Sequence, residues 1–146
     1  MRSFEINHKE LKPGIYKHSV SGLVTTWDVR VKTPNLDTME DAVLHSIEHT
    51  LAAYMRNRFG NYRIVGVFPM ACKTGFYVLT RFIGKETFLN AFVDFVFNLQ
   101  KLTTVPGATE VQCGNYKLHD LKGAKNEILN FYDGCLRFLK ATNMKY

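Results

Sequence analysis

The amino-acid sequence predicts an α+β fold, an antiparallel sheet of about four strands covered by helices on one face. Three observations lead there. Segments rich in β-branched and aromatic residues come in two adjacent pairs, Ile15–Val20 with Leu23–Lys32 and Tyr62–Phe68 with Gly75–Phe82. Between and after these pairs stand three stretches whose apolar residues recur at helical spacing. The resulting order is ββ-α-ββ-α-α, with no internal repeat and no linker. A chain of 146 residues, 46% of them hydrophobic, is long enough for one core, so residues 1–146 are read as a single domain.

Composition narrows the function classes. The charged fraction is 22% and no low-complexity tract occurs, which favours an ordered globular chain. No apolar run approaches the roughly 20 residues of a membrane span, and Met1-Arg2-Ser3-Phe4-Glu5 is no signal peptide, so no membrane partner is expected. The three cysteines form no CxxC pair, which argues against a disulfide framework and for a cytoplasmic location. A net charge of +6 and a pI of 9.3 would suit nucleic acid. The basic residues (Lys9, Lys12, Lys32, Arg56, Arg63, Lys85, Lys101, Lys125, Lys140) are scattered, however, and no RNP-like motif or zinc finger occurs. The charge therefore reads as a solvated surface suited to anionic small molecules, and no nucleic-acid partner is expected.

Taken in order, Phe4-Glu5-Ile6 alternates and reads as a short strand or an arm, ended by Pro13-Gly14. Ser21-Gly22 suits a tight hairpin between the first two strands. On the second strand Trp27, Val29 and Val31 share one face, while Thr26, Asp28 and Arg30 share the other. Pro34-Asn35 ends the pairing. Thr38-Met39-Glu40-Asp41 has the form of a capping box and opens a helix running to about Arg58. Its apolar stripe is Met39, Ala42, Val43, Ile47, Leu51, Met55 and Phe59, and Gly60 stops it. The connection Pro69 to Thr74 is longer than a hairpin needs. Lys85 to Lys101, with Phe88, Phe92, Phe95, Val96 and Leu99, reads as a helix buried around most of its girth. A loop carrying Pro106-Gly107 and Val111-Gln112-Cys113-Gly114 leads to a final helix from about Asp120 to Ala141.

The stretch that carries chemistry is His45-Ser46-Ile47-Glu48-His49, inside the first helix. Imidazoles four residues apart lie one turn above each other and can share a metal ion of the kind neutral nitrogen suits, zinc or ferrous iron. His-x-x-Glu-His is also the inverted form of a metalloprotease signature, a five-residue match of low specificity. The bland alternative is two polar residues on a helix rim. Cys113 is the candidate third ligand because it sits in a Gln-Cys-Gly loop without a packing pattern, whereas Cys135 falls among core positions of the last helix. Three protein ligands with an open fourth position define a catalytic site; a structural one wants four. Cys72 stands beside Lys73, whose charge would favour a thiolate, with a buried small hydrophobe as the bland reading. Glu48 is a candidate general base or a solvated carboxylate. His8 and His119 receive no role from the residues alone.

Four segments resemble one family: Ser3-Phe4 through His8; the helix with His45 to His49; Pro69-Met70-Ala71-Cys72-Lys73-Thr74-Gly75; and Gln112-Cys113-Gly114 through Leu118-His119-Asp120-Leu121-Lys122-Gly123-Ala124-Lys125. Their order and spacing are similar to those of S-ribosylhomocysteine lyase, the LuxS family, from near residue 3 to near residue 130. The resemblance implies a homodimer with active sites at the subunit interface and one divalent metal per subunit, Fe(II) expected and zinc also accepted. It implies His45, His49 and Cys113 as ligands and Glu48 and Cys72 as acid/base groups. Ser3, His8 and Arg30 would contact the ribose part of the substrate, the first two from an N-terminal arm. The implied reaction moves the sugar carbonyl from C1 to C2 to C3, with the metal polarising successive oxygens, and then eliminates homocysteine from C5. The other product would be 4,5-dihydroxy-2,3-pentanedione, the precursor of autoinducer-2.

The sequence departs from the family pattern where Thr26 replaces a common Lys, Gly66 an Asp, Ala71 a Gly and Phe76 a Tyr. The first two bear on recognition of the substrate's amino-acid tail. The rival readings are an inverted-zinc-motif metallohydrolase, which wants a carboxylate third ligand, and a non-catalytic binding homologue whose ligand side chains point apart.

Overall fold

A computed structural model describes residues 4–139. Four strands form, β1 (Gly14–Ser21), β2 (Val24–Arg30), β3 (Ile64–Pro69) and β4 (Gly75–Arg81). They make one open antiparallel sheet in the order β1-β2-β4-β3, so the second hairpin joins the first through its later strand. In the first hairpin Ser21 pairs with Val24, which leaves a two-residue loop. Gly22 takes φ +56 there, the positive angle that the first position of a II′ turn demands.

Among the described residues three long helices accompany the sheet, α1 (Asp41–Phe59), α2 (Lys85–Gln100) and α3 (Leu121–Phe131). This is the α+β architecture that the element order predicts, with an antiparallel four-stranded sheet. The helices pack on the face carrying Trp27, Val29, Phe76 and Val78, whose side chains join Phe88, Phe92, Phe95, Ile47, Leu51 and Ile128 in one core. Trp27 stacks on Phe88 at 4.6 Å between ring centroids, and its indole N–H donates to Thr80 Oγ1 at 2.8 Å, so the buried polar edge is satisfied. After α3 the chain continues through a π-helical turn, Tyr132–Leu136, into Arg137–Leu139. The Cys135 S–H donates to the Pro13 carbonyl, and burial pushes this thiol's pKa up to about 11.

One expectation is corrected and two others are sharpened. Of the strand and arm readings of Phe4–Ile6, the strand does not form among the described residues, and Phe4 is 83% exposed. The capping box at Thr38 does not form: α1 begins at Asp41, and Glu40 at its N-cap makes no side-chain cap. The reason is tertiary. Met39 is buried and its N–H donates to the Lys73 carbonyl, and the N-cap moves two residues on to Glu40, whose backbone is extended. Asp28 and Arg30 do face away from the helices, yet both are buried, at 0% and 2% exposure. Arg30 donates from Nε and Nη2 to the two Asp28 oxygens at 3.1 and 2.7 Å, and from Nη1 to Thr74 Oγ1 at 2.8 Å. Tyr16 and Tyr77 flank Asp28 in register on β1 and β4. Burial, ahead of their charged neighbours, raises both phenols above their ordinary pKa.

The bidentate pair yields a stability prediction. Asp28→Ala leaves the Arg30 guanidinium buried without its counter-charge and should cost about 3–5 kcal/mol, read as a lower urea midpoint of unfolding.

Candidate metal centre

Helix α1 fixes two of the candidate ligands. Ile47, Leu51 and Met55 are fully buried against the sheet and the neighbouring helices, which sets the rotation of the helix about its axis. His45 and His49 then stand side by side on the flank turned to the segment between α2 and α3, with ring centroids 4.7 Å apart. Each imidazole is tied by its Nδ1. His45 Nδ1–H donates to the Leu118 carbonyl at 2.7 Å, and His49 Nδ1–H donates to the Pro106 carbonyl at 2.8 Å. A carbonyl oxygen only accepts, so the proton sits on Nδ1 and the Nε2 lone pair points into the site.

The segment 101–120 supplies the rest. Cys113 is held by its N–H on the Thr109 carbonyl at 2.9 Å. Its Sγ lies 3.5 Å from His45 Nε2 and 3.7 Å from His49 Nε2. Zinc bonds of about 2.3 Å to sulfur and about 2.0–2.1 Å to nitrogen, at a tetrahedral angle, would put these atoms about 3.6 Å apart. The donor set therefore fits one ion in distance as well as in chemistry. His119 joins the cluster, with Nε2 3.8 Å from Cys113 Sγ, and the four donor atoms lie within 4.8 Å of one another. Its pKa is pushed down to about 4, by burial first and then by His45 and His49.

The start of α3 holds this loop against α1. Asp120 caps the helix by accepting from the Gly123 N–H at 2.8 Å, and its own N–H donates to Ser46 Oγ on α1 at 2.8 Å. Gly123 is needed for the close approach, since a Cβ there would lie 2.6 Å from Val43 Cγ2.

The other predicted residues lie apart from this cluster. Glu48 is half-buried on α1 and makes no hydrogen bond or ion pair among the described residues. Cys72 is exposed, 3.1 Å from Thr74 Oγ1 and 4.0 Å from Arg30 Nη1. The cation beside Cys72 is thus Arg30. Lys73, which the sequence puts forward, turns to Asp41 at 2.7 Å instead. His8 donates from Nδ1 to the Ile6 carbonyl at 2.9 Å. Ser3 lies outside the described residues. Of the departures from the family pattern, Thr26 and Gly66 both pair with Leu79, on opposite sides of it. A Cβ on Gly66 would meet the Phe68 ring at 2.4 Å, so that ring fills the space beside it. Ala71 is exposed in the loop before Cys72, and Phe76 is fully buried in the core. Two residues of the centre receive no role from sequence reasoning, His119 and Ser46. The signals for them are position alone: His119 stands beside the Asp120 cap in a segment that resembles the family, and Ser46 stands next to His45.

Fold and donor set together define a single-sheet α+β protein with an imidazole–thiol cluster able to hold a divalent ion. A family model described as S-Ribosylhomocysteinase (LuxS) matches residues 1–141. A relative from Borreliella burgdorferi (strain ZS7), named S-ribosylhomocysteine lyase, is 37% identical over 152 residues, covering 99% of this chain and 96% of its own. Relatives of the same name from Borrelia garinii subsp. bavariensis and Borreliella afzelii are 36% identical, each over 99% of this chain and 96% of its own length. The chain belongs to the LuxS family.

Removing either kind of donor should abolish metal retention. His49→Ala and Cys113→Ala should emerge from gel filtration with little bound metal by elemental analysis. Zinc at 100 times its Kd should stabilise the unaltered chain by about 2.7 kcal/mol, seen as a higher Tm, and this gain should vanish in both variants.

Proposed function

We propose that this protein is a metal-dependent carbon–sulfur lyase. It cleaves S-ribosylhomocysteine to homocysteine and 4,5-dihydroxy-2,3-pentanedione, the autoinducer-2 precursor, by aldose–ketose isomerisations and β-elimination. The observation that carries this reading is the convergence of His45, His49 and Cys113 in a chain matched to the family over residues 1–141. A divalent ion on these residues, Fe(II) expected and zinc the alternative, would supply Lewis-acid polarisation of the sugar oxygens. The protein itself must move protons between neighbouring carbons. Two groups are assigned to that task, Glu48 one position before a ligand and Cys72 beside the Arg30 cation. Each isomerisation takes a proton from one carbon and returns it to the next. With the carbonyl at C3, loss of the C4 proton expels homocysteine from C5. Ser3, His8 and Arg30 are assigned to the ribose part of the substrate.

The working unit is proposed to be a homodimer with active sites at the interface. Arg30 and Cys72 lie against the sheet face turned from the helices, and no described hydrogen bond, ion pair or ring contact joins them to the metal cluster. Phe68, 49% exposed, and its cross-strand neighbour Tyr77 add apolar surface to that face. A second copy can bring Cys72 of one chain to the metal cluster of the other. A cytoplasmic location agrees with three free cysteines among the described residues, and no described helix is long and apolar enough to cross a membrane. The metallohydrolase alternative is disfavoured because the cluster holds no carboxylate among the described residues.

Incubation of the metal-loaded protein with S-ribosylhomocysteine should release free thiol; no release with Fe(II) or Co(II) bound would sink the lyase reading. Cys72→Ala should keep its metal and lose turnover, and loss of metal in that variant would mean that the two cysteines exchange roles. A mixture of His45→Ala and Cys72→Ala chains, unfolded and refolded together, should regain about a quarter of the unaltered rate, since half the dimers are mixed and each has one intact site. No regain would place both residues in the same chain's site.

A further inference from the structure

We propose that His119 stands beside the metal as a hydrogen-bond donor in its Nε2–H form, oriented by Ser46, and is not a fourth ligand. The proposal deepens the metal-centre reading above and rests on it. Distance alone would make His119 a ligand, because its Nε2 lies with the other three donors inside 4.8 Å. Four protein donors would close the coordination sphere, as in a structural site. Hydrogen bonding and ring geometry point the other way.

The tautomer follows from the partners of Nδ1. In His45 and His49 that nitrogen faces a carbonyl, so it carries the proton. In His119 it faces Ser46 Oγ at 3.1 Å. The Ser46 oxygen already accepts the Asp120 N–H at 2.8 Å, and Ser46 is 0% exposed. Its hydroxyl proton has one described acceptor, His119 Nδ1; leaving a buried hydroxyl undonated would cost about 1–3 kcal/mol. With Nδ1 accepting, the ring proton of neutral His119 is on Nε2, which then has no lone pair for a metal.

Ring geometry agrees. His45 and His49 are edge to face, with planes at 88°. His119 instead stacks on His45, with ring centroids 3.9 Å apart and planes at 21°. Nearly parallel rings keep their in-plane nitrogen directions in separate layers, so both cannot aim at one ion. The Nε2–H of His119 is placed to donate to Cys113 Sγ, 3.8 Å away. A donor to a ligating sulfur tunes the centre and leaves its fourth position for a sugar oxygen, which the same N–H can then reach. Ser46 is a positioning residue in this scheme. It acts through the imidazole and touches no substrate.

Long-range proton–nitrogen NMR of the zinc-loaded protein should show Nδ1–H for His45 and His49 and Nε2–H for His119. X-ray absorption should show two imidazoles and one sulfur on the metal. Three imidazoles, or an Nδ1–H proton on His119, would overturn the proposal. His119→Leu should keep that shell, with metal affinity lowered about 10-fold. Its kcat should fall about 10²-fold at little-changed KM, with part of the loss recovered in His119→Gln, whose amide still donates. Ser46→Ala should give a mixed His119 tautomer at full metal content; an unmixed Nε2–H signal would remove Ser46 from the scheme. The spectroscopic results do not depend on thiol release, so failure of the substrate reading and failure of this one are distinguishable.

Discussion

The centre depends on a small set of hydrogen bonds that tie the segment 101–120 to α1. Residues 101–120 contain no helix or strand, and ordering that much chain is costly in conformational entropy. What ties them to α1 is the pair of imidazole N–H bonds to the Pro106 and Leu118 carbonyls, together with the Asp120 N–H and His119 Nδ1 on Ser46. The same bonds set the tautomers of His45 and His49. Ordering of the loop and orientation of the two imidazoles are therefore one event, and an ion bound by Cys113 would add its binding energy to the same event. Each hydrogen bond alone is worth only about 0.5–1.5 kcal/mol, so the arrangement relies on all of them together.

Behind this lies the burial of α1. Its apolar stripe commits one side to the core, which leaves His45 and His49 on the flank where the loop arrives. Gly123 lets the start of α3 come within contact of Val43 and so brings Leu118 and His119 to the level of His45. The other face of the sheet is organised differently. A buried ion pair, Asp28–Arg30, is clamped between two tyrosines, and Thr74 and Cys72 close around the guanidinium. Desolvating two charges is tolerated because three of the guanidinium's donors have oxygen acceptors. That makes Arg30 a fixed cation, suited to a recognition role that a solvated side chain would fill less well.

The four strands, the first hairpin, the order of the three helices and the α+β class were legible, because period-two alternation and helical apolar stripes are local signals; the π-helical turn that interrupts the last helix after Phe131 was not, and the predicted end of that helix at Ala141 lies outside the described residues. Three further features were not legible. The start of α1 shifted because a backbone bond from Met39 to Lys73, far along the chain, overrode a local capping pattern. The burial of Asp28 and Arg30 was hidden because alternation reports which face a residue takes, not what covers that face. His119 receives no role from sequence because it follows a loop with no period at all, and the Asp120 cap together with Ser46 decides where its ring points.

The amino-acid sequence alone determined the type and order of the elements, the two imidazoles on one helix face and the segments that resemble a family. These depend on residue types at short separations. Only the tertiary structure decided the strand order β1-β2-β4-β3, the meeting of Cys113 with His45 and His49, the docking of His119 on Ser46 and the placement of Cys72 beside Arg30. The side-chain contacts among them join residues 42 to 74 positions apart, where packing and directional hydrogen bonds choose among many locally equivalent arrangements.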